Sequence, residues 1–133
     1  MPVRVFKDLE FDDWARRDGP TDRMPCEAAG EIEKGIVDAR LGGFLLKKRV
    51  AAPGRGKRSG YRTILAHRQG DRLVFLHGYA KNEKNDITKK EKSALLKLGG
   101  VYMGYDEARL SRMVAKGLIV EIRCHEQDPQ KRP

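Results

Sequence analysis

The chain has 133 residues, of which 39% are hydrophobic and 35% charged, and its formal net charge is +9. This length suits one domain with a core of its own, and no apolar run is long enough to span a membrane. The N-terminus lacks the apolar core of a secretion signal, so a cytoplasmic location is expected. Cys26 and Cys124 lack metal-ligand spacing and are expected to remain reduced.

The first third of the chain predicts one strand and two helices. Residues 3–6 suit a short strand that begins after a proline. Apolar residues at helical spacing predict a helix over residues 9–18, which Gly19 and Pro20 end. A second helix is predicted from Thr21 or Asp22 to about residue 39, followed by a glycine breaker at 41–43.

The middle of the chain predicts three antiparallel strands at residues 44–51, 60–67 and 73–81. A Gly/Arg/Lys loop separates the first two and a tight turn at 69–71 separates the others, so successive strands should be neighbours. Alternation places Lys47 and Arg49 on the face opposite Leu46. In the next strand, Arg62 shares a face with Ile64 and Ala66.

The last third predicts two helices and a closing strand. Thr88 and Glu91 form a capping box at the start of a helix that reaches about residue 103. Asp106 caps a shorter helix, and residues 118–122 form a strand that returns to the sheet. We therefore expect one α+β domain over residues 1–124, with a twisted antiparallel sheet of about four to five strands packed against N-terminal and C-terminal helices. Residues 125–133 are expected to form a polar tail.

The positive charge is concentrated in the middle of the chain. The net charge is −3 over residues 1–43, +10 over residues 44–92 and +2 over residues 93–133. A basic block inside a folded segment favours a shaped site for a polyanion. The alternative is that these residues only keep exposed strands soluble.

The residue types on this sheet suit phosphodiester chemistry on RNA. No phosphate-binding loop, nucleophilic triad or metal-ligand spacing is recognisable, and no cofactor is expected. Attack by a 2′-hydroxyl forms a phosphorane with extra negative charge, which arginine and lysine side chains stabilise. Histidine, tyrosine or a lysine of lowered pKa can move the two protons.

Three segments resemble one protein family when they are read in order. They are KKRVAxxGRGKRSGYRTI from Lys47, FLHGYAKNEKNDIT from Phe75, and GLIVEI from Gly117. Together they resemble the RelE/HigB-like toxins of bacterial type II toxin–antitoxin systems, over roughly residues 30–122. The resemblance implies a RelE-like fold and a metal-independent endoribonuclease, an mRNA interferase that cuts mRNA on the ribosome and inhibits translation. It also implies a cognate antitoxin encoded alongside, with a helix-turn-helix, and operator DNA bound through the antitoxin complex.

The resemblance also implies roles for individual residues. It indicates a catalytic group that includes Lys47, Arg49, Arg62 and Lys81, to which we add Tyr79 as a candidate for proton transfer. It indicates an RNA-binding group made of Arg55, Lys57, Arg58 and Lys84. The chain departs from the RelE branch at Asn82, where that branch has arginine, and at Thr88, where it has tyrosine. Tyr79, His77 or Lys84 therefore remain candidates for proton transfer.

Two alternatives compete with this interpretation. Arg62 can serve a structural ion pair with Asp86 or Glu83, and Lys47 and Arg49 can form the solvated face of a strand. The chain can also be a non-catalytic binder on the same fold, either a ParE-like inhibitor of DNA gyrase or an RNA-binding module without cleavage.

Overall fold

The computed structural model describes residues 3–17, 19–51, 60–81 and 86–127. Within these ranges the elements are β1 (Arg4–Lys7), α1 (Leu9–Arg17), α2 (Arg23–Glu33), β2 (Ala39–Gly42), β3 (Leu45–Val50), β4 (Tyr61–Arg68), β5 (Arg72–Ala80), α3 (Lys89–Gly104), α4 (Glu107–Ala115), β6 (Val120–Ile122) and a 3₁₀ turn (Cys124–Gln127). The strands form one sheet in the order β2-β3-β4-β5-β1-β6. The α+β class is confirmed, with one strand more than expected. None of the described helices combines the length and apolarity needed to cross a membrane.

The central hairpins form as predicted, and one pairing was not predicted. Strands β3, β4 and β5 are successive antiparallel neighbours, and Gly70 adopts a φ of 72° in the turn between β4 and β5. Strand β1, however, pairs with β5 in parallel. A parallel neighbour requires a long crossover, and local sequence patterns carry little information about such distant pairing.

Helices cover both faces of the sheet. On one face α1 and α2 bury Phe11, Trp14 and Ile32 against Leu46 and Phe75. On the other face α3 and α4 contribute residues to a second core, whose members include Phe6, Ile64, Leu76, Tyr102 and Leu110. Because the central strands are buried on both faces, they are almost continuously apolar rather than alternating.

The second helix is shorter than predicted. It ends at Glu33, and Gly35 follows with a φ of 87°, a conformation that favours glycine. Residues 39–42, predicted as the helix end and a breaker, instead form the edge strand β2 against β3. The segment Ala-Arg-Leu-Gly is too short and too weakly apolar to be recognised as a strand without its partner.

The prediction that the cysteines remain reduced is wrong in this structure. Cys26 of α2 and Cys124 after β6 form a disulfide, with a Cα–Cα distance of 5.4 Å. Their separation of 98 residues concealed the pairing in the sequence. The topology explains it, because α2 packs against the core beneath β1 and β6 lies directly beside β1.

Both predicted caps on the C-terminal helices are confirmed. Thr88 accepts a hydrogen bond from the backbone N–H of Glu91, whose side chain accepts one from the N–H of Thr88. The Asp106 carboxylate accepts a hydrogen bond from the backbone N–H of Arg109. The first cap fixes where α3 starts, and this helix end lies beside the basic part of the sheet.

Candidate nucleic-acid interface

The strand register aligns the predicted basic residues in two rows. Arg49 of β3 lies opposite Arg62 of β4, which lies opposite Tyr79 of β5. In the adjacent row, Lys47 lies opposite Ile64, which pairs with His77. We call the four polar residues Lys47, Arg49, Arg62 and Tyr79 the basic face. The predicted alternation is confirmed, because their neighbours Leu45 and Ile64 belong to the core beneath α3.

Arg62 is the most buried charged member of the basic face. Only 5% of its surface is exposed, although it lies directly opposite a second arginine. Like charges at directly opposite positions of a sheet destabilise the pairing. Nearby carboxylates or a bound anion must therefore offset the two guanidinium groups.

Two carboxylates at the margins of the basic face supply part of this compensation. Lys47 Nζ lies 3.3 Å from Asp86, whose side chain is 62% exposed. The backbone N–H of Arg49 donates to Asp38 at 2.7 Å, and its Nε lies 3.9 Å from the same carboxylate. Exposed pairs of this kind contribute about 0–1 kcal/mol, so a phosphate group can replace them. Asp38 was not predicted, because its position follows only from the unpredicted strand β2.

The hydroxyl of Tyr79 is buried and keeps its proton at neutral pH. Burial raises the pKa of its phenol above the ordinary value of 10.0, and the negative charge of Asp86 raises it further, whereas Arg62 lowers it. The ring is 4% exposed and lies 5.7 Å from the ring of His77, measured between centroids. A phenol in this state is suited to act as an acid rather than as a base.

A register shift between Ile64 and Leu65 separates His77 from Phe75. The sequence had suggested that Phe75, His77 and Tyr79 alternate together on one face. Instead, Phe75 belongs to the core beneath α1 and α2, while His77 contacts Tyr79. An irregularity of this kind changes which face a residue occupies, because side chains alternate with a period of two.

Of the remaining predicted residues, Lys81 is the one that the structure describes. Lys81 is exposed just after β5, and its backbone N–H donates to the carbonyl of Gly60 at 3.4 Å. Asn82 and the four predicted RNA-binding residues lie outside the described residues: Arg55, Lys57, Arg58 and Lys84. The structure therefore places four of the five predicted catalytic residues on neighbouring strands, with Lys81 just after β5. The roles of the catalytic and RNA-binding residues stay predictions.

Two contacts on the side of the sheet opposite the basic face were not predicted. Lys48, between Lys47 and Arg49, points to the opposite face, where its Nζ lies 2.7 Å from Glu31 of α2 with only 2% of the lysine side chain exposed. Gly78, next to Tyr79, is covered by Trp14, since a Cβ at this position would lie 2.2 Å from the indole ring. The glycine within the GYAKN segment was the sequence signal for this close approach.

Comparison with known proteins identifies one family. Residues 3–122 match the family described as "RelE toxin of RelE / RelB toxin-antitoxin system". No curated protein matches the chain. The match includes every described residue of the basic face, together with the helices on both sides of the sheet.

Proposed function

Because the chain belongs to the RelE toxin family of RelE/RelB toxin–antitoxin systems, we propose that it is an endoribonuclease that cuts mRNA on the ribosome and stops translation. The observation that carries this proposal is the pairing of Arg49 with Arg62 on neighbouring strands, with Lys47 beside them. Three cationic groups on one rigid sheet suit a phosphate that gains negative charge during the reaction.

In the proposed mechanism, the basic face binds the scissile phosphate. Arg62 and Arg49 donate hydrogen bonds to the non-bridging oxygens, and Lys47 leaves Asp86 to add a third positive charge. The 2′-hydroxyl attacks the phosphorus and loses its proton to solvent, and the bond from phosphorus to the 5′-oxygen then breaks. The phosphorane between these two events carries more negative charge than the bound mRNA. The arginines and the lysine therefore stabilise the transition state more than the ground state, which accelerates cleavage.

Tyr79 is the proposed donor of the proton that the 5′-oxygen needs as it leaves. Its phenol is protonated at neutral pH, and burial raises its pKa further above the ordinary 10.0. Thr88, at the position where the RelE branch has tyrosine, is engaged in the capping box of α3. Lys81, exposed at the end of the hairpin, adds positive charge near the leaving strand.

A toxin of this family implies an antitoxin partner. We propose that the antitoxin carries a helix-turn-helix, binds operator DNA as part of the complex, and presents an acidic segment to the basic face. Such a segment would compete with mRNA for the same cations, because both are anionic. In this proposal the toxin works in the cytoplasm, where the ribosome and mRNA are its remaining partners.

A non-catalytic role on the same fold is the second candidate. The observation that favours it is the use of Thr88 as a helix cap, which leaves this position without the tyrosine of the RelE branch. In that case the chain would bind RNA without cutting it, or would inhibit DNA gyrase as ParE-like proteins do.

Induced expression in bacterial cells separates these functions. We expect translation to stop first, with mRNA cut inside coding regions, and we expect Arg62→Ala to relieve growth arrest. The control is Arg112→Ala, which removes an equal charge from the exposed surface of α4 and should remain toxic. A fully toxic, folded Arg62→Ala variant would contradict the proposed site, and DNA damage with intact mRNA would favour gyrase inhibition.

A further inference from the structure

A groove of about 360 Å³ lies at the edge of the sheet beside the disulfide. Strands β1 and β6 form its floor, and its lining includes Cys124 together with Arg4, Arg123 and His125. Cys26, which is also described, is not among the lining residues. Both cysteines are partly buried, but a small molecule in the groove lies against residue Cys124 and not against Cys26.

The charges around the groove favour the binding of an anionic small molecule. Glu121 is the one acidic residue among the described lining residues, and its carboxylate lies 2.9 Å from a guanidinium nitrogen of Arg4. Arg123 is exposed immediately before Cys124. With Glu121 compensated, Arg123 leaves an excess of positive charge beside Cys124, and this attracts anions over the distance of a few ångströms.

Cys26 has the better position for a leaving thiolate. It is the fourth residue of α2, in the first helical turn, where the helix dipole favours negative charge. Thiol–disulfide exchange is faster when the departing sulfur is the better stabilised thiolate. Access and leaving-group stability thus favour the same direction of attack.

We propose that the Cys26–Cys124 disulfide is an exchange site for an anionic low-molecular-weight thiol of the glutathione type. The thiolate attacks Sγ of Cys124, the Cys26–Cys124 bond breaks, and Cys26 leaves as a thiolate. A second thiol then attacks the mixed disulfide on Cys124 and releases it as a thiol. Overall, one protein disulfide and two small thiols give two protein thiols and one small-molecule disulfide, so electrons and protons balance.

Exchange at this site releases the C-terminal part of the fold from α2. Strand β6 pairs with β1 through three residues, and within α4 only Leu110 is buried. Since the disulfide joins residues 98 positions apart, its loss should lower Tm by about 15 °C. The basic face lies on β3, β4 and β5, away from β6 in the sheet order. The proposed exchange is therefore independent of the proposed ribonuclease activity.

The test uses the oxidised full chain with two probes, reduced glutathione and the uncharged thiol 2-mercaptoethanol. After quenching with acid, peptide mass spectrometry should locate the first glutathione adduct on Cys124. Arg123→Gln should slow the reaction with glutathione about threefold and leave that with 2-mercaptoethanol unchanged. Lys97→Gln, which removes an exposed charge from α3 on the other face of the sheet, should alter neither rate.

Single-cysteine variants provide a second measurement that does not depend on the intact disulfide. Cys26→Ser should take up glutathione from glutathione disulfide faster at Cys124 than Cys124→Ser does at Cys26. The proposal is overturned by a first adduct on Cys26, by equal slowing of both thiols in Arg123→Gln, or by exchange that requires unfolding. Purified, air-exposed protein that contains two free thiols would overturn it as well.

Discussion

Arg49 of β3 and Arg62 of β4 occupy directly opposite positions in the strand register. The Cβ atoms of cross-strand neighbours lie about 5 Å apart, so the two arginine side chains leave the sheet side by side. In the free protein Asp38 lies beside Arg49. The arrangement is favourable when an anion lies between the two side chains, and we therefore regard this pair as the centre of the proposed phosphate site.

Lys47 and Lys48 are adjacent on β3, but substitution of Lys48 should lower the stability of the protein much more than substitution of Lys47. Lys48→Met removes a buried lysine from its ion pair with Glu31, whose side chain is 34% exposed, and should lower the free energy of unfolding by about 1–2 kcal/mol. Lys47→Met removes a lysine paired with an exposed carboxylate and should change it by less than about 0.5 kcal/mol. Chemical denaturation measures both values.

The same two variants should differ in the opposite sense when cleavage is measured. At a temperature where both remain folded, Lys47→Met should reduce mRNA cleavage about a hundredfold, whereas Lys48→Met should retain it. If Lys47→Met cleaved normally, the basic residues of β3 would be a solvated strand face rather than part of the site.

Removal of the Asp86 carboxylate should strengthen RNA binding. Asp86 holds Lys47 at 3.3 Å in the free protein, so Asp86→Asn should raise affinity for a short RNA about threefold at low ionic strength. The effect should vanish in concentrated salt, where exposed charges are screened. Asp13→Asn, an equal charge change on α1 with a side chain 64% exposed, is the matched control in fluorescence anisotropy. Equal gains in both variants would mean that only net charge matters.

Tyr79 should ionise later than an ordinary tyrosine. Burial raises its pKa above 10.0, so the phenol keeps its proton as the pH rises through 10.0 and loses it only beyond that point. The absorbance difference between the wild type and Tyr79→Phe during an alkaline titration reports this ionisation. Asp86→Asn should move it to lower pH, because the negative charge of Asp86 contributes to the shift.

Cleavage at neutral pH provides the functional half of the Tyr79 prediction. If Tyr79 delivers a proton to the leaving oxygen, Tyr79→Phe should slow cleavage about a hundredfold while mRNA binding stays within twofold. Unchanged cleavage by a folded Tyr79→Phe variant would assign the residue to packing around Arg62 instead.

Gly78 should tolerate no side chain while Trp14 covers it. A Cβ at this position would lie 2.2 Å from the indole ring, so Gly78→Ala should cost about 2–3 kcal/mol of stability through overpacking. Gly30→Ala in α2 is the matched control, because a Cβ there meets no atom within 4 Å. Helix propensity predicts that this control gains about 0.5–1 kcal/mol. A neutral Gly78→Ala would show that Trp14 moves aside easily.

Local sequence patterns were sufficient for the hairpins and for the caps of α3 and α4. Alternation correctly grouped Lys47 with Arg49, and Arg62 with Ile64, because side chains in a regular strand alternate between the two faces of the sheet. It failed at His77, because one irregular residue in the β4–β5 pairing changes which face of the sheet the next side chains occupy. Local rules describe regular elements well, and they do not include the exceptions that the partner strand imposes.

Contacts between distant parts of the chain could not be predicted. The disulfide, the parallel pairing of β1 with β5 and the Asp38–Arg49 contact each depend on the order of strands in the completed sheet. Lys48 shows the same limit, since its burial depends on Glu31 in a helix from an earlier part of the chain. The charges of the site were therefore predictable from the sequence, whereas the groups that hold or balance them were not.

The most direct test of the central claim is to map RNA ends after the purified chain acts on ribosomes loaded with a defined mRNA. The account predicts cleavage within the mRNA on the ribosome, with a 2′,3′-cyclic phosphate on the upstream fragment, because the 2′-hydroxyl is the nucleophile. It also predicts that Arg62→Lys, which keeps the charge and loses the planar fork, cleaves at least tenfold more slowly. Intact mRNA with the wild-type chain, or an upstream fragment that ends in a free 3′-hydroxyl, would contradict it.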